Sequence, residues 1–375
     1  MSKEKKSSTI GTSQFMGQFM KANKDYHFNF EETAASYSVS TGSLILDNFI
    51  GGGLGAGLQR FTGCNEGGKT NEALQVMRNM LNSVDKTKGL YIKAEGRLSV
   101  EIQKRSGLNF VFHPDDWELG TCLVWECNIY DVVFDGLRSL LKNNPDKERL
   151  CIVIDSMDGL LPKSDLEKST SDAAKVAAGA SLTSDFLKRV SLGMSKFGHM
   201  CIMVSQVRST IKTNQYAPSD PNNQTNSSGG NAALHYPDWI INFEKRNQSD
   251  LIVQDPKAKP SPENPIIGHY AKVHIQKSTN ESTGMRVRYP IKHGRTDGKS
   301  IWIEREVIEM LLMWKYIEKA GSWFKIDEDV SSYVSGQGLE IKEKYQGMNS
   351  LYDLLEGSPE LTKVLGCFIA ENVLS

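Results

Sequence analysis

The segment GCNEGGKT, from Gly63 to Thr70, fits the pattern GxxxxGK[ST] at every required position. A short apolar stretch, Leu58 to Thr62, precedes it and can form a strand. The segment 71–84 that follows predicts a helix with one apolar face, made of Leu74, Met77, Leu81 and Val84. Strand, glycine-rich turn and helix thus follow in the order of a phosphate-binding loop. The alternative, a glycine-rich turn with a surface lysine, does not explain the flanking elements.

The residue types of this loop suit a nucleoside triphosphate. Gly63, Gly67 and Gly68 lack Cβ, so the backbone can adopt positive φ and direct N–H groups toward one centre at the start of the helix. Lys69 can reach the terminal phosphate oxygens, and the Thr70 hydroxyl is placed to ligate Mg²⁺. The residues expected to bind the nucleotide are Gly63, Cys64, Asn65, Glu66, Gly67, Gly68, Lys69, Thr70 and Asn71.

Three further predicted strands end in polar side chains that suit hydrolysis. The apolar run LCIVIDS, 150–156, delivers Asp155 where a metal-binding acid is needed beside the loop. The strand within 89–98 ends in Glu95, a candidate base for an attacking water. The strand 199–204 leads to Gln206, whose neutral amide can hydrogen-bond a γ-phosphate. Taken alone, an apolar run that ends in Asp155 would usually indicate only a strand followed by a turn, and spacing alone would favour Glu95 as a solvated acid at a strand end.

The order of these parts resembles the RecA recombinase family, which includes the phage UvsX-type proteins. The resemblance covers most of the chain and rests on six short matches in sequence order. They are STGSLILDNFIGGGLGAGL (40–58), AEGRL (94–98), IDSMDGLLPK (154–163), SQVRSTIK (205–212), SGGNAALHY (228–236) and IEKAGSWF (317–324).

The resemblance implies an α/β fold with a RecA-like P-loop ATPase core, a mostly parallel twisted sheet flanked by helices. It implies a DNA-dependent ATPase that uses ATP and Mg²⁺. Such a recombinase forms helical filaments on single-stranded DNA and pairs it with homologous duplex, with mediator and single-strand-binding proteins as expected partners. Glu95 would be the catalytic base, Lys69 and Gln206 would contact the phosphates, and Lys277 would reach the neighbouring protomer's γ-phosphate.

Two segments are candidate DNA-binding loops. Residues 207–231 form a long polar segment rich in Gly and Asn, beginning next to Gln206, and loops of this length are usually functional or disordered. Its predicted contacts are Arg208 and Lys212 with phosphates, Ile211 and Tyr216 with bases, and Gly229, Gly230 and Asn231 at its end. The first candidate, 162–180, offers Lys163, but its lysines could equally form a solvated face with interleaved acids.

The chain departs from the family pattern at several positions. Lys93 replaces an acid two residues before Glu95, Thr279 replaces a second interface lysine, and Ile102 stands where an aromatic residue often stacks on adenine. The second candidate loop is also longer than expected. None of these changes removes the phosphate loop, the metal-binding acid, the base or the sensor glutamine.

The chain divides by pattern into three parts. Residues 1–39 carry apolar residues at helical spacing that need a partner surface, which their own domain could supply. The family resemblance implies instead that they form an N-terminal oligomerisation segment that docks onto the neighbouring protomer. Residues 40–302 form the expected ATPase core, with a proline-rich insert at 249–265. Residues 303–375 form an expected small α+β domain, in which the spacing predicts a long helix over 304–320, closed by Gly321, and two helices over 349–356 and 359–373.

Composition sets further bounds. The net charge of −1 means that a nucleic-acid partner must be inferred from local basic residues. No apolar stretch is as long as a membrane span and the start lacks the apolar core of a secretion signal, so we expect a cytoplasmic protein, that of the host cell if phage-encoded. The six cysteines include no CxxC pair and are expected to be reduced, without a zinc site.

Two other classes of function remain open on sequence grounds. One is a motor on the same core, such as a hexameric helicase or a KaiC/RadA-like protein. The other is a non-catalytic DNA-binding filament protein, which Lys93 beside the site would favour.

Overall fold

The computed structural model describes residues 11–22, 37–96, 98–165, 177–207 and 232–373. The helices are α1 (Thr12–Ala22), α2 (Leu44–Phe49), α3 (Lys69–Ser83), α4 (Val100–Ser106), α5 (Tyr130–Lys142), α6 (Ala177–Lys196), α7 (Ala232–His235), α8 (Ile303–Met313), α9 (Glu328–Gly336), α10 (Met348–Gly357) and α11 (Pro359–Asn372). Short 3-10 turns occur at Met157–Gly159 and Lys163–Asp165.

Thirteen strands are described. They are β1 (Gly57–Gly63), β2 (Thr87–Lys93), β3 (Phe110–Val111), β4 (Cys122–Glu126), β5 (Arg149–Asp155), β6 (Met200–Val204), β7 (Trp239–Phe243), β8 (Leu251–Val253), β9 (Ile266–Lys277), β10 (Arg286–Lys292), β11 (Ile317–Ala320), β12 (Trp323–Ile326) and β13 (Lys344–Gln346). The first ten form one sheet in the order β10-β9-β7-β1-β6-β5-β2-β4-β3, with β8 beside β9.

The central part of this sheet is parallel. Strand β1 pairs parallel with β6 and β7, β5 pairs parallel with β6 and β2, and only β8, β9 and β10 add antiparallel pairs. Strands β1 and β6 are buried at every residue, as expected for a parallel sheet covered on both faces. The predicted α/β core with a mostly parallel sheet is confirmed.

Alternate residues of the strands feed two hydrophobic clusters, one on each face. Phe61 and Val153 pack with Leu74 and Met77 of α3. On the opposite face, Leu58, Ile152 and Met203 pack against α5 and α6, including Phe134 and Phe186, whose rings stack with centroids 4.0 Å apart. The helices therefore hold the sheet from both sides.

The C-terminal part corrects one prediction. The expected helix over 304–320 ends at Met313, and Ile317–Ala320 is a strand. Lys315 has φ of 64°, a left-handed conformation that stops a helix, and buried Ile317 pairs with Ile326 across the hairpin. Gly321, predicted to close the helix, lies instead in the turn between β11 and β12. The predicted helices over 349–356 and 359–373 match α10 and α11.

Two polar links join the C-terminal elements to the core. Glu306 of α8 is fully buried and accepts hydrogen bonds from the Ser43 hydroxyl at 2.5 Å and the Leu44 N–H at 2.9 Å. Glu356 of α10 accepts from the Lys292 ammonium and from the Trp302 indole N–H. The buried residues of both parts also form one continuous cluster.

Helix α1 presents exposed apolar side chains, since Phe15, Met16 and Phe19 are all about half exposed and no residue of the helix is buried. The insert after β8 is ordered by Asn264, whose amide donates to the carbonyls of Asp255 and Ala258. All six cysteines are free. Among the described residues, no helix is both long and apolar enough to cross a membrane.

His199 gives a test of the packing at the start of β6. It is 1% exposed, its Nδ1 accepts the Leu150 N–H at 3.0 Å, and burial lowers its pKa to about 4. The unfolded chain, with an ordinary histidine pKa near 6.5, binds a proton that the folded chain refuses. The histidine therefore has no effect on the free energy of unfolding above pH ~6.5, and it lowers that free energy as the pH falls toward 4.

We expect His199→Asn, which keeps an acceptor for Leu150, to lose less stability than the wild type over this range. Between pH 7 and pH 4.5, the free energy of unfolding should fall by on the order of 2 kcal/mol more in the wild type than in the variant. Denaturant melts at pH 7 and pH 4.5 measure it, with exposed His113→Asn as the control. Parallel pH profiles of wild type and His199→Asn would contradict this account.

Candidate functional site

The loop Gly63–Thr70 lies at the carboxyl edge of the parallel sheet, between β1 and α3. Gly63 and Gly68 have φ of 135° and 108°, as the sequence predicted. Gly67 does not take positive φ, which corrects that prediction, and Glu66 does, with φ of 62°. Gly67 is needed for close approach, because a Cβ there would lie 3.1 Å from Cβ of Phe243. The neighbouring strand β7 therefore shapes the loop.

Lys69 is held inside the loop that it follows. Its ammonium donates to the carbonyls of Gly63 at 3.0 Å and Cys64 at 2.7 Å, and the residue is 8% exposed. Burial lowers the pKa of Lys69, while Asp155 and other nearby acids act in the opposite direction. A cation is thus placed at the N-terminus of α3, where phosphate oxygens are favoured.

Thr70 and Asp155 meet, as the sequence predicted. The Thr70 hydroxyl donates to Oδ2 of Asp155 at 2.8 Å, and the Tyr91 hydroxyl donates to the same oxygen at 2.9 Å. Burial raises the pKa of Asp155, and these two hydrogen bonds oppose the rise. A hydroxyl and a carboxylate beside a phosphate site suit Mg²⁺, which prefers oxygen ligands and uses few protein groups.

The described residues contain no cluster of three or more His, Cys, Asp or Glu side chains that could hold a metal by themselves. Mg²⁺ in phosphate sites usually combines one or two carboxylates with substrate oxygens, which is the kind of donor set that Thr70 and Asp155 offer.

Glu95 and Gln206 also meet. The Gln206 amide donates to Oε1 of Glu95 at 3.0 Å, and the Ser156 hydroxyl donates to the same oxygen at 2.5 Å. The backbone N–H of Gln206 donates to Asp158 at 2.6 Å. The candidate base and the candidate sensor are therefore in direct contact, near the candidate metal-binding acid Asp155.

Lys93 points away from this contact. Its ammonium pairs with Glu126 on the neighbouring strand at 2.7 Å. Ile102 does line the cavity beside the phosphate loop, as predicted. This cavity measures about 530 Å³ and is also bordered by Arg105, His269 and His293. Lys292 and Arg295, which contact Glu356 of α10, lie in its wall.

The DNA-binding predictions fall largely on residues that are not described. Arg208, Ile211, Lys212, Tyr216, Gly229, Gly230 and Asn231 lie outside the described residues. Lys163 begins a 3-10 turn and its N–H donates to Asp131 at 2.7 Å. The Lys277 ammonium donates within its own chain to the carbonyls of His235 at 2.5 Å and Pro237 at 2.6 Å. Its role in trans stays a prediction.

Sequence reasoning missed four residues that organise the site. They are Arg60, Tyr91, Ser156 and Asp158. Each is a polar residue in or just after a strand that feeds this edge of the sheet, and that position was the available signal.

A phosphate loop between a buried strand and a helix, with an acid at the end of a nearby parallel strand, defines a P-loop nucleotide-binding protein. A family model described as the RecA N-terminal domain matches residues 27–279, more than half of the chain. The chain belongs to the RecA family, which confirms the resemblance seen in the sequence.

Individual relatives agree at low identity. The chain is 26% identical over 365 residues to Protein RecA of Rickettsia africae, covering 93% of this chain and 90% of that protein. It is 27% identical over 319 residues to Protein RecA of Rickettsia bellii, covering 82% of this chain and 79% of that protein. It is 24% identical over 347 residues to Protein RecA of Pseudomonas savastanoi, covering 90% and 82%.

Tyr91 provides a test of the metal site. Removing its hydroxyl leaves Asp155 with one fewer donor to fix the carboxylate, and loss of such an orienting partner typically costs 10–100-fold in metal affinity. We expect Tyr91→Phe to raise the Mg²⁺ concentration for half-maximal nucleotide binding about 10-fold. A magnesium titration with a fluorescent ATP analogue measures this. Tyr345→Phe, far along the chain in β13, is the control, and equal magnesium dependence of the two variants would contradict the assignment.

Proposed function

We propose that this protein is an ATP-dependent DNA recombinase of the UvsX type, a DNA-dependent ATPase that forms filaments on single-stranded DNA and promotes homologous pairing and strand exchange. The observation that carries the proposal is the contact between Gln206 and Glu95. Gln206 is the last residue before the long polar segment 207–231. A group that contacts the candidate base thus stands directly at the entrance of the candidate DNA-binding loop.

The roles of the site residues follow from chemistry. The loop N–H groups and Lys69 would bind the triphosphate of ATP, and Thr70 and Asp155 would hold Mg²⁺, which supplies charge neutralisation when bound. Glu95, held by Ser156 and Gln206, would orient a water and accept its proton. A turn of the Gln206 amide from Glu95 to a γ-phosphate oxygen would release the base from this hydrogen bond.

The DNA contacts would come from the two loops. Arg208 and Lys212 would neutralise phosphates, Ile211 and Tyr216 would contact bases, and Gly229, Gly230 and Asn231 would form the hinge at the far end. Lys163 would add a contact from the first loop. Both loops follow strands that end at the phosphate site. Nucleotide and DNA would therefore both contact residues at the same edge of the sheet.

Filament formation is supported by the exposed face of helix α1. Helix α1 exposes Phe15, Met16 and Phe19, an apolar face that a neighbouring protomer would cover. Lys277 would reach the neighbour's γ-phosphate, and for this its ammonium would have to leave the carbonyls of His235 and Pro237. Assembly and hydrolysis would then be linked.

We further propose the division into an oligomerisation segment (1–39), an ATPase core (40–302) and a small C-terminal domain (303–375). A cytoplasmic location, that of a host cell for a phage-encoded protein, and mediator and single-strand-binding proteins as partners complete the proposal.

The deciding experiment is ATP turnover with and without single-stranded DNA, beside electron microscopy of the same mixtures. Strong stimulation by DNA together with helical filaments supports the recombinase. Closed rings would favour a helicase-like motor. Nucleotide and DNA binding without turnover would favour a non-catalytic filament protein.

The base assignment predicts the behaviour of Glu95→Gln. Without a proton acceptor, turnover should fall about 10²–10⁴-fold, while ATP and DNA binding persist, because the amide keeps the size and polarity of the side chain. Steady-state hydrolysis and filter binding measure the two properties. Glu126→Gln, an exposed acid on the adjacent strand, should stay within about 2-fold of the wild type. Unchanged turnover in Glu95→Gln would remove Glu95 as the base.

The role in trans predicts the behaviour of Lys277→Ala. Loss of a cation supplied across an interface should lower DNA-stimulated turnover about 10³-fold, and leave the basal rate of dilute monomer nearly unchanged. Turnover is measured across protein concentrations with and without DNA. An equal fall in both rates would show that Lys277 acts within its own chain.

A further inference from the structure

Arg60 is a fully buried cation in β1, just before the phosphate loop. Its side chain is 1% exposed, and alternation with Leu58 places it on the face of the sheet covered by α5 and α6. Burial lowers its pKa to about 10, and the nearby Asp158 carboxylate acts in the opposite direction. It remains charged at neutral pH. A buried charge is costly unless its hydrogen bonds are matched.

The donors of Arg60 reach both ends of one segment. Its Nε donates to the Ser205 hydroxyl at 3.0 Å, and its Nη1 donates to the Ala233 carbonyl at 2.9 Å. Ser205 directly precedes Gln206, and Ala233 lies in α7, just after the segment 208–231. A single planar group therefore joins the entrance of the second candidate DNA loop, its N-terminal root, to the exit, its C-terminal root.

Asp158 adds Gln206 to the same cluster. It accepts the Gln206 N–H at 2.6 Å, and its charge favours the charged form of Arg60. The Gln206 side chain contacts Glu95 at 3.0 Å. Hydrogen bonds therefore connect the candidate base to Gln206 and, through the peptide link from Gln206 to Ser205, to Arg60 and the exit of the loop.

Stability alone explains this placement poorly. Buried ionic clusters can often be replaced by apolar residues without loss of stability. The exit is also fastened independently, since Lys277 holds the carbonyls of His235 and Pro237. The exit therefore does not depend on the bond from Arg60 to Ala233 for its anchoring. What this bond adds is a connection between the exit and the entrance.

We propose that Arg60 is a positioning residue that transmits the nucleotide-dependent movement of Gln206 to the exit of the second candidate DNA loop. The guanidinium is a rigid fork, so displacement of Ser205 has to move the group or break its bond to Ser205 or to Ala233. The meaning of this transmission for DNA binding rests on the proposed function. The transmission itself is measurable without DNA.

The test is hydrogen exchange of the full chain, with and without a non-hydrolysable ATP analogue and Mg²⁺, in the absence of DNA. In the wild type, nucleotide should change exchange about 10-fold or more in both 203–207 and 232–238. In Arg60→Met and Arg60→Lys the change should persist at 203–207 and shrink to within about 2-fold at 232–238. Lysine keeps the charge but lacks the fork.

Matched variants control for damage to the strand. Gln59→Met alters the residue before Arg60 in β1, which is equally buried and whose amide donates to the Gly55 carbonyl. We expect this variant to keep the nucleotide effect on exchange at 232–238. If Arg60→Met fails to fold, Ser205→Ala removes one end of the bridge with a smaller change and should also weaken transmission. Three outcomes would each overturn the proposal. One is a full nucleotide effect on exchange at 232–238 in Arg60→Met or Arg60→Lys, the second is loss of that effect in Gln59→Met, and the third is no effect at 232–238 in the wild type.

A second measurement separates this inference from the proposed function. The ratio of ATP turnover with and without single-stranded DNA should fall about 10-fold in Arg60→Met. An unchanged ratio would overturn the link to DNA. Absence of DNA stimulation in the wild type would instead defeat the proposed function, while the exchange experiment would still decide whether Arg60 transmits.

Discussion

The parallel pairing of β1 with β6, and of β6 with β5, is the constraint on which the site depends. Parallel strands end at the same edge, so the residues that follow them must meet there. Phe61 lies opposite Val204, and Ile154 lies opposite Met203. Because the strand interiors are buried on both faces, the polar chemistry collects at their ends. The glycine loop, Asp155 and Gln206 are neighbours for this reason.

The polar groups at this edge form shared contacts rather than separate pairs. Oδ2 of Asp155 receives both Thr70 and Tyr91, and Oε1 of Glu95 receives both Ser156 and Gln206. The two bonds to Asp155 are partly buried, and networks in such a setting are sensitive to the loss of one member. A change in the partner of one oxygen therefore alters the hydrogen bonds available to the next residue.

The sequence predicted the parts of the site that rest on local pattern. Lys69, Thr70 and Asp155 were found because a phosphate loop and a buried strand have recognisable neighbours in the chain. The contacts of Arg60 and Tyr91 were not found, because their partners Ser205 and Asp155 lie far along the sequence and single polar residues in strands carry no motif. These contacts depend on which strands lie next to each other in the folded sheet, and no local sequence pattern encodes that.

The error in the C-terminal part has the same origin. The apolar spacing over 304–320 fits a helix, but Ile317–Ala320 is a strand because tertiary pairing with β12 overrides local periodicity. A second error lies in the phosphate loop, where Glu66 takes positive φ together with Gly63 and Gly68, whereas Gly67 does not.

The bond between Glu356 and Lys292 has a practical meaning for anyone who shortens the protein. Lys292 belongs to the wall of the cavity beside the phosphate loop, yet its carboxylate partner is supplied by α10, near the end of the chain. A chain cut before α10 would leave that ammonium without this counter-charge and uncover the apolar side of Trp302. Such a fragment would hold an altered cavity, so its ligand affinities would not describe those of the whole molecule.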